Sequence, residues 1–370
     1  MSGAGGAQRE REELERQARE LEGDLVRLLD ARADLALRVR ALAEGDPPLP
    51  ELDEGAWLRA LEGSSTGRLP PESLRAILRE VRAALRGVER PGRVAYLGPE
   101  GGLCHQVVRR HFGPGSPTLG CASVGEALEA VARGRAVTAI IPLESSVEGL
   151  AQSSVTALAR SELMIVGERS SSVIFDLLAR GAREGLTRVY VTPAARAACR
   201  RFLAEHFAGV EVVEVTSPLT CLELAAGEEM TGAIVLQDCA RESNLAVLES
   251  NVGDVPEAFV RFALVGARPA KRADWNRTCL LFGVQDEPGS LFEVLRHFAE
   301  RGLNLGRVQS RPLPRAAVLR GKGWDYAFYV EVDGHETDRP MVAALDRVRR
   351  ATKYLRVLGS YPVDEPSPIP

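Results

Sequence analysis

The chain has 370 residues, 45% of them hydrophobic and 26% charged, an average globular composition that excludes both a disordered chain and a single small module. Its 47 Lys and Arg against 51 Asp and Glu leave a net charge of −4, which argues against nucleic acid as a partner. The stretch from Met1 to Arg11 has no apolar core and no run of 18 apolar residues occurs, so the expectation is a cytoplasmic protein without membrane contact. The six cysteines are widely spaced with no C-x-x-C pair, and the five histidines are scattered. Buried thiols are expected, with no metal and no cofactor.

Residues 9–43 repeat apolar positions at Leu14, Ala18, Leu21, Leu25, Leu28, Leu35, Val39 and Leu42, a 4-3 spacing that predicts one long amphipathic helix. The same count places Arg32 on that seam, where a guanidinium needs either a carboxylate from a neighbouring helix or an anionic ligand. Both readings stand open at this point. Asp46 to Pro50 ends the helix, a short helix is expected from Glu54 to Leu61, and Leu74, Ile77, Val81 and Leu85 mark another over Pro71 to Val88. Three helices, one very long, make a poor core alone, which points to a homo-oligomer, a dimer or tetramer.

From Arg90-Pro91-Gly92 the pattern becomes mixed. Strands are expected at Val94–Leu97, Val137–Ile141, Leu163–Val166, Val189–Val191, Val210–Val215, Gly232–Val235 and Arg261–Val265, with helical runs between most of them. Ser170-Ser-Ser172 reads as a turn or hinge lining. The last module, Asn276 to Pro362, reads strand, helix, strand, strand, helix, strand, the βαββαβ order of a ferredoxin-like fold.

Several local sequences fit one family. Arg93-Val-Ala-Tyr-Leu-Gly-Pro-Glu-Gly101 looks like the opening of a prephenate dehydratase domain, and Ile141-Pro-Leu-Glu-Ser-Ser-Val-Glu-Gly149 resembles its Pro-Ile-Glu-Asn-Ser-x-x-Gly motif. Phe259-Val-Arg-Phe262 matches its Thr-Arg-Phe motif in part. Gly289-Ser-Leu291 and Gln309-Ser-Arg-Pro312 resemble the two effector motifs of an ACT domain, and Tyr354-Leu-Arg-Val-Leu-Gly-Ser-Tyr-Pro362 its closing strand. In this order the chain resembles the bifunctional chorismate mutase/prephenate dehydratase family.

The resemblance implies a multidomain α and α/β fold. Chorismate-mutase-like helices would span 9–90, a two-lobed α/β dehydratase domain of the periplasmic-binding-protein type 92–268, and an ACT domain 276–363. It implies a lyase of phenylalanine biosynthesis, converting prephenate to phenylpyruvate, carbon dioxide and water, with phenylalanine feedback through the ACT domain. Carried over by motif, the catalytic set is Val260, Arg261, Phe262, Glu144, Ser145 and Ser146, with Arg261 expected on a substrate carboxylate. Gly98, Gly101, Gly102, Cys104, Gly149, Thr192 and Ser217 would line the cleft. Arg32 and Glu54 would belong to a mutase-like site, and Gly289, Ser290, Leu291, Asn304, Gln309, Ser310, Arg311 and Pro312 to an effector site.

The chain also departs from that pattern. Val260 stands where the family has the threonine that protonates the departing hydroxide, and valine keeps the shape without the hydroxyl. Water or Ser146 is the expected replacement. Gly101-Gly-Leu-Cys104 replaces Gly-Thr-Phe-Ser, Glu144-Ser-Ser146 replaces Glu-Asn-Ser, Thr192-Pro-Ala194 replaces His-Pro-Gln, and Ala258 takes an asparagine position. In the helices Glu15 and Ala43 occupy cation positions and Asp53-Glu54 an Arg-Glu pair, with Arg16 and Arg40 nearby. Gln309 replaces a glutamate. Three functions stand side by side: an active dehydratase, a non-catalytic member acting as an amino-acid-binding or regulatory subunit, and an enzyme repurposed for another aromatic acid.

Overall fold

The computed structural model describes residues 4–42, 57–58, 60–61, 63–65, 67–89, 92–314 and 324–363. Helix α1 (Ala4–Leu42) is continuous, and α2 (Pro71–Glu89) packs on it with Ala36 and Ala83 buried. Between them the chain is helical at 57, 58, 60 and 61, and the Arg82 guanidinium lies 4.7 Å from the Trp57 ring centroid. Ala43, Asp53 and Glu54 lie outside the described residues. The Leu14, Leu21, Leu25, Leu28, Leu35 and Val39 side chains are each more than half exposed in the single chain, so the described residues leave the seam uncovered. Arg32 is exposed on the same helix. Arg16 is held by Glu13 and Glu20 on its own helix, an exposed arrangement that fits local helix pairing.

The α/β domain is two lobes. The first contains β1 (Val94–Leu97), α3 (Leu103–Phe112), β2 (Thr118–Cys121), α4 (Val124–Ala132), β3 (Thr138–Ser145), β4 (Gly149–Leu150), α5 (Gln152–Arg160) and β5 (Met164–Ser172). The second contains β6 (Phe175–Ala179), β7 (Arg188–Val191), α6 (Pro193–Ala198), α7 (Arg200–His206), β8 (Glu211–Glu214), α8 (Pro218–Gly227), β9 (Thr231–Leu236), α9 (Gln237–Arg241) and β10 (Ala246–Glu249). The chain then returns to the first lobe as β11 (Phe259–Gly266). The sheets run β2-β1-β3-β11-β5, with β4 on β3, and β10-β6-β9-β7-β8. The two crossings run side by side, Val173 N–H donating to the Ala258 carbonyl at 2.8 Å.

Ser170–Ser172 are strand, not turn. They pair with Arg261, Val260 and Phe259 of β11, whose backbone supplies the partners that the small polar side chains could not signal. Strands β2, β4, β6 and β10 also escaped the sequence pattern. They are two to five residues long, and the buried β6 reads Phe-Asp-Leu-Leu-Ala without alternation, Asp176 being satisfied by Ser250 Oγ and Asn251 N–H.

The last module is β12 (Asn276–Gly283), α10 (Ser290–Ala299), β13 (Leu305–Pro314), β14 (Trp324–Asp333), α11 (Arg339–Ala351) and β15 (Tyr354–Pro362), an antiparallel sheet ordered β13-β14-β12-β15. One face carries Leu280, Phe282, Val330 and Val332 onto Val294, Phe298, Met341 and Leu345 of the two helices. The opposite face places Cys279, Leu281, Tyr329 and Tyr361 in one core with Ile165, Ala263 and Val265 of the first lobe. At Gly359 the approach is backbone to backbone: a Cβ there would stand 2.1 Å from the Ile165 carbonyl oxygen.

Candidate active site

Strand β11 decides what faces the cleft. Successive side chains of a strand point to opposite faces. Val260 and Phe262 accordingly line a cavity of about 1100 Å³ between the lobes, while Arg261 points through the other face of the sheet toward the last module. Of the expected residues Gly98, Gly102, Cys104, Glu144, Ser145, Gly149 and Thr192 also reach the cavity. The far wall adds Phe175 and Asp254, which the sequence reading missed. Nothing in the local sequence marked either, since the short β6 was itself unread and Asp254 lies in a loop.

Four expected residues do other work. Arg261 is corrected from substrate binding: it is buried, donating to Glu144 (3.0 Å), Glu168 (3.0 Å) and both Glu331 oxygens (3.0 and 2.5 Å). Arg307 pairs with Glu144 and Arg277 with Glu168 at 2.7 Å, so three guanidiniums face three carboxylates between the domains. Ser146 is not on the cavity wall; its Oγ accepts Phe259 N–H at 3.0 Å and ties β3 to β11. Ser217 caps α8 by accepting Leu219 N–H and donates to the Glu100 carbonyl at 3.3 Å. Gly101, at φ +76°, is buried behind the wall, its N–H donating to His105 Nδ1 and its carbonyl accepting from Cys239.

Burial works against the Glu331 carboxylate, yet hydrogen bonds and charge from Arg261, then Arg277 and Tyr329, hold it below its ordinary range. A depressed carboxylate pKa stabilises the fold above the unfolded value of about 4.3 and loses that contribution as pH falls through the folded value. The urea midpoint is therefore expected to drop between about pH 5 and about pH 3, with a flatter slope in Glu331→Gln; equal slopes in the two proteins would refute the assignment.

The cavity has a distinct electrostatic character. No Lys or Arg is among the described residues that line it. Instead the N-terminal turns of α3 at Gly102-Leu103, of α5 at Ala151-Gln152-Ser153 and of α8 at Thr216 and Pro218 all open onto it. First-turn amides of α3 and α5 and the positive ends of the helix dipoles make such termini receptive to anions; α8 adds its dipole alone, since Pro218 has no N–H and Leu219 N–H is taken by Ser217 Oγ. Thr192 spends its Oγ on Ala195 N–H, capping α6. Burial pushes the Cys104 thiol up to about 12, so it is wall and not nucleophile.

In the last module Gly289, at φ +86°, starts α10; Ser290 and Leu291 begin the helix proper, with Leu291 against the helix-side core. On β13, Ser310 and Pro312 are exposed and Gln309 half-buried. Arg311 is buried and donates through Nη2 to the Leu150 carbonyl at 2.5 Å, while its Nε and Nη1 have no hydrogen-bond partner among the described residues. Asn304 donates to Asp333 at 2.7 Å and closes the β13–β14 end of the sheet.

With this geometry in hand, comparison with known proteins places the chain. A prephenate dehydratase family model matches residues 94–270 and an ACT domain model residues 280–350. The bifunctional chorismate mutase/prephenate dehydratase of Aquifex aeolicus is 31% identical over 360 residues, covering 95% of this chain and 98% of the relative. Among solved structures, the prephenate dehydratase of Arthrobacter aurescens in complex with L-Phe is 30% identical with a TM-score of 0.63, over 75% of this chain and 93% of that one. A quorum-quenching acylase is 28% identical with a TM-score of 0.61, over 74% and 98%. The Aquifex alignment takes in the helical start, the two-lobed middle and the ACT module alike, and the chain belongs to the bifunctional chorismate mutase/prephenate dehydratase family.

Proposed function

We propose that the interlobe cleft converts prephenate to phenylpyruvate, and that the ACT module adjusts this turnover to phenylalanine. The observation that carries the reading is the convergence of three helix N-termini on a cavity large enough for the substrate, in a family that includes the Aquifex enzyme. A dicarboxylate is held there by backbone amides, since Arg261 is withdrawn into the domain interface. The phenylalanine part is supported by the Arthrobacter relative, solved with L-Phe. The bifunctional Aquifex relative supports a mutase activity of the helical start as well, with Glu15 standing where the resemblance implies a cation. The uncovered leucine seam of α1 is read as the contact between copies in a homo-oligomer.

The test is phenylpyruvate formation by the purified chain, with and without phenylalanine, and with chorismate offered separately. Turnover well above the spontaneous rate, changed by phenylalanine, is expected. A folded protein that leaves prephenate untouched would overturn the reading. Val260 favours one second reading, an aromatic-acid-binding member without turnover, and retained binding of phenylpyruvate in an inactive protein would select it.

A further inference from the structure

We infer that Ser145 delivers the proton to the hydroxyl group that leaves in this cleft, an inference that rests on the dehydratase reading above. Strands β3 and β11 are antiparallel, with Ser145 directly opposite Val260. Opposed residues in such a pair share a face with their Cβ atoms about 5 Å apart. Both line the cavity, so the hydroxyl that position 260 lacks is present on the adjoining strand.

The hydrogen bonds of Ser145 fix its role as donor. Its Oγ accepts Val147 N–H at 3.2 Å and Glu148 N–H at 3.4 Å, which occupies both lone pairs. The hydroxyl hydrogen is given to no acceptor among the described residues and is left for the cleft. The same two amides stabilise negative charge developing on Oγ, which makes the hydroxyl a stronger acid.

The neighbours on the two strands and on α3 are otherwise engaged, and the remaining hydroxyls of the wall, Ser153 and Thr216, stand at the starts of α5 and α8 and not opposite Val260. Ser146 is turned to Phe259 N–H, the Glu144 carboxylate accepts from Arg261 and Arg307, and the Cys104 thiol is buried and weakly acidic. Thr192 stands on the opposite lobe.

In the step itself the bond from the ring to its carboxylate breaks, carbon dioxide leaves, and the electron pair moves into the ring. The ring carbon–oxygen bond breaks as that oxygen takes the Oγ hydrogen, so water departs and phenylpyruvate remains. The Ser145 alkoxide recovers a proton from solvent.

The experiment compares the unaltered protein with Ser145→Ala, Ser145→Asn, Ser145→Thr and Ser145→Ala/Val260→Thr. Loss of a general acid lowers kcat by about 100-fold or more, with KM moving less than about threefold. Ser145→Asn keeps an acceptor for the two amides and guards against a folding defect; it is expected to lose as much as Ser145→Ala. Ser145→Thr should stay within about tenfold of the unaltered protein, and Val260→Thr in the alanine background should recover at least about tenfold by placing a hydroxyl on the facing strand. Turnover by Ser145→Ala within about threefold of the unaltered protein, or a loss carried by KM with no rescue, would overturn the donor assignment alone. No turnover by the unaltered protein would overturn the dehydratase reading, and this inference with it.

Discussion

Arg261→Ala is expected to destabilise the protein by about 3 to 5 kcal/mol, the range for removing one partner from a buried ion pair. Three guanidiniums, Arg261, Arg277 and Arg307, face three carboxylates, Glu144, Glu168 and Glu331, and the Arg261 and Glu331 side chains are only 9% and 4% exposed. Removing Arg261 leaves the cluster one negative charge in excess, with two Glu331 oxygens each short of a donor. The loss is read from urea unfolding, and from the rate at which a protease cuts the connection between β11 and β12. Acid provides an internal check. Carboxylates stripped of their cation bind protons more readily, so the gap between variant and parent should narrow as pH falls. A double change, Arg261→Met with Glu331→Leu, should recover much of the loss, because paired apolar replacements leave no orphan charge. A loss below about 1 kcal/mol would mean that the cluster is hydrated and the interface open.

Gly359→Ala should have an effect of similar size through shape alone. The added carbon meets the Ile165 carbonyl oxygen at 2.1 Å and the Ile165 nitrogen at 2.7 Å, backbone atoms inside β5 that cannot rotate aside. Either β15 or β5 must shift, and the sheet of the ACT module lifts from that of the first lobe where Cys279, Leu281 and Tyr361 share a core with Ile165 and Val265. Overpacking of this kind costs about 3 kcal/mol. Thermal unfolding of Gly359→Ala is expected to begin earlier than in the parent, with the ACT module as the first part to become protease-sensitive. Unchanged melting would show that the two sheets are not in contact in solution.

Strand runs rich in Val and Ile were legible, as was the βαββαβ order, because burial against a sheet leaves a pattern in the residues themselves. The missed strands are short; β10 leans on β6, about 70 residues back, and β4 is only two residues turning back on β3. At the site, the motif positions are legible in the sequence, and a motif by itself does not show which way each side chain faces. Period two alone places Val260 with Phe262 and opposes Arg261 to both; Ser146 parts from Ser145 because the strand ends there and the turn begins. The partner that claims Arg261, Glu331, lies 70 residues away across a domain boundary, and no local signal announces such a pairing. No Lys or Arg is among the described residues that line the cleft, and Arg261, the cation of the motif, is paired with Glu331 behind the sheet.

The pleat of β11 also bears on how such a protein changes over generations. Positions 260 and 262 lie against the cavity while position 261 is anchored in the neighbouring module. Mutation at 260 can therefore redraw the chemistry of the pocket while the anchor at 261 holds, with Glu144 the residue that belongs to both sides, lining the cavity and accepting from Arg261. One strand thus separates two selective pressures by a single peptide unit, and a lineage is free to lose or replace a reacting group here without first dismantling the assembly that surrounds it.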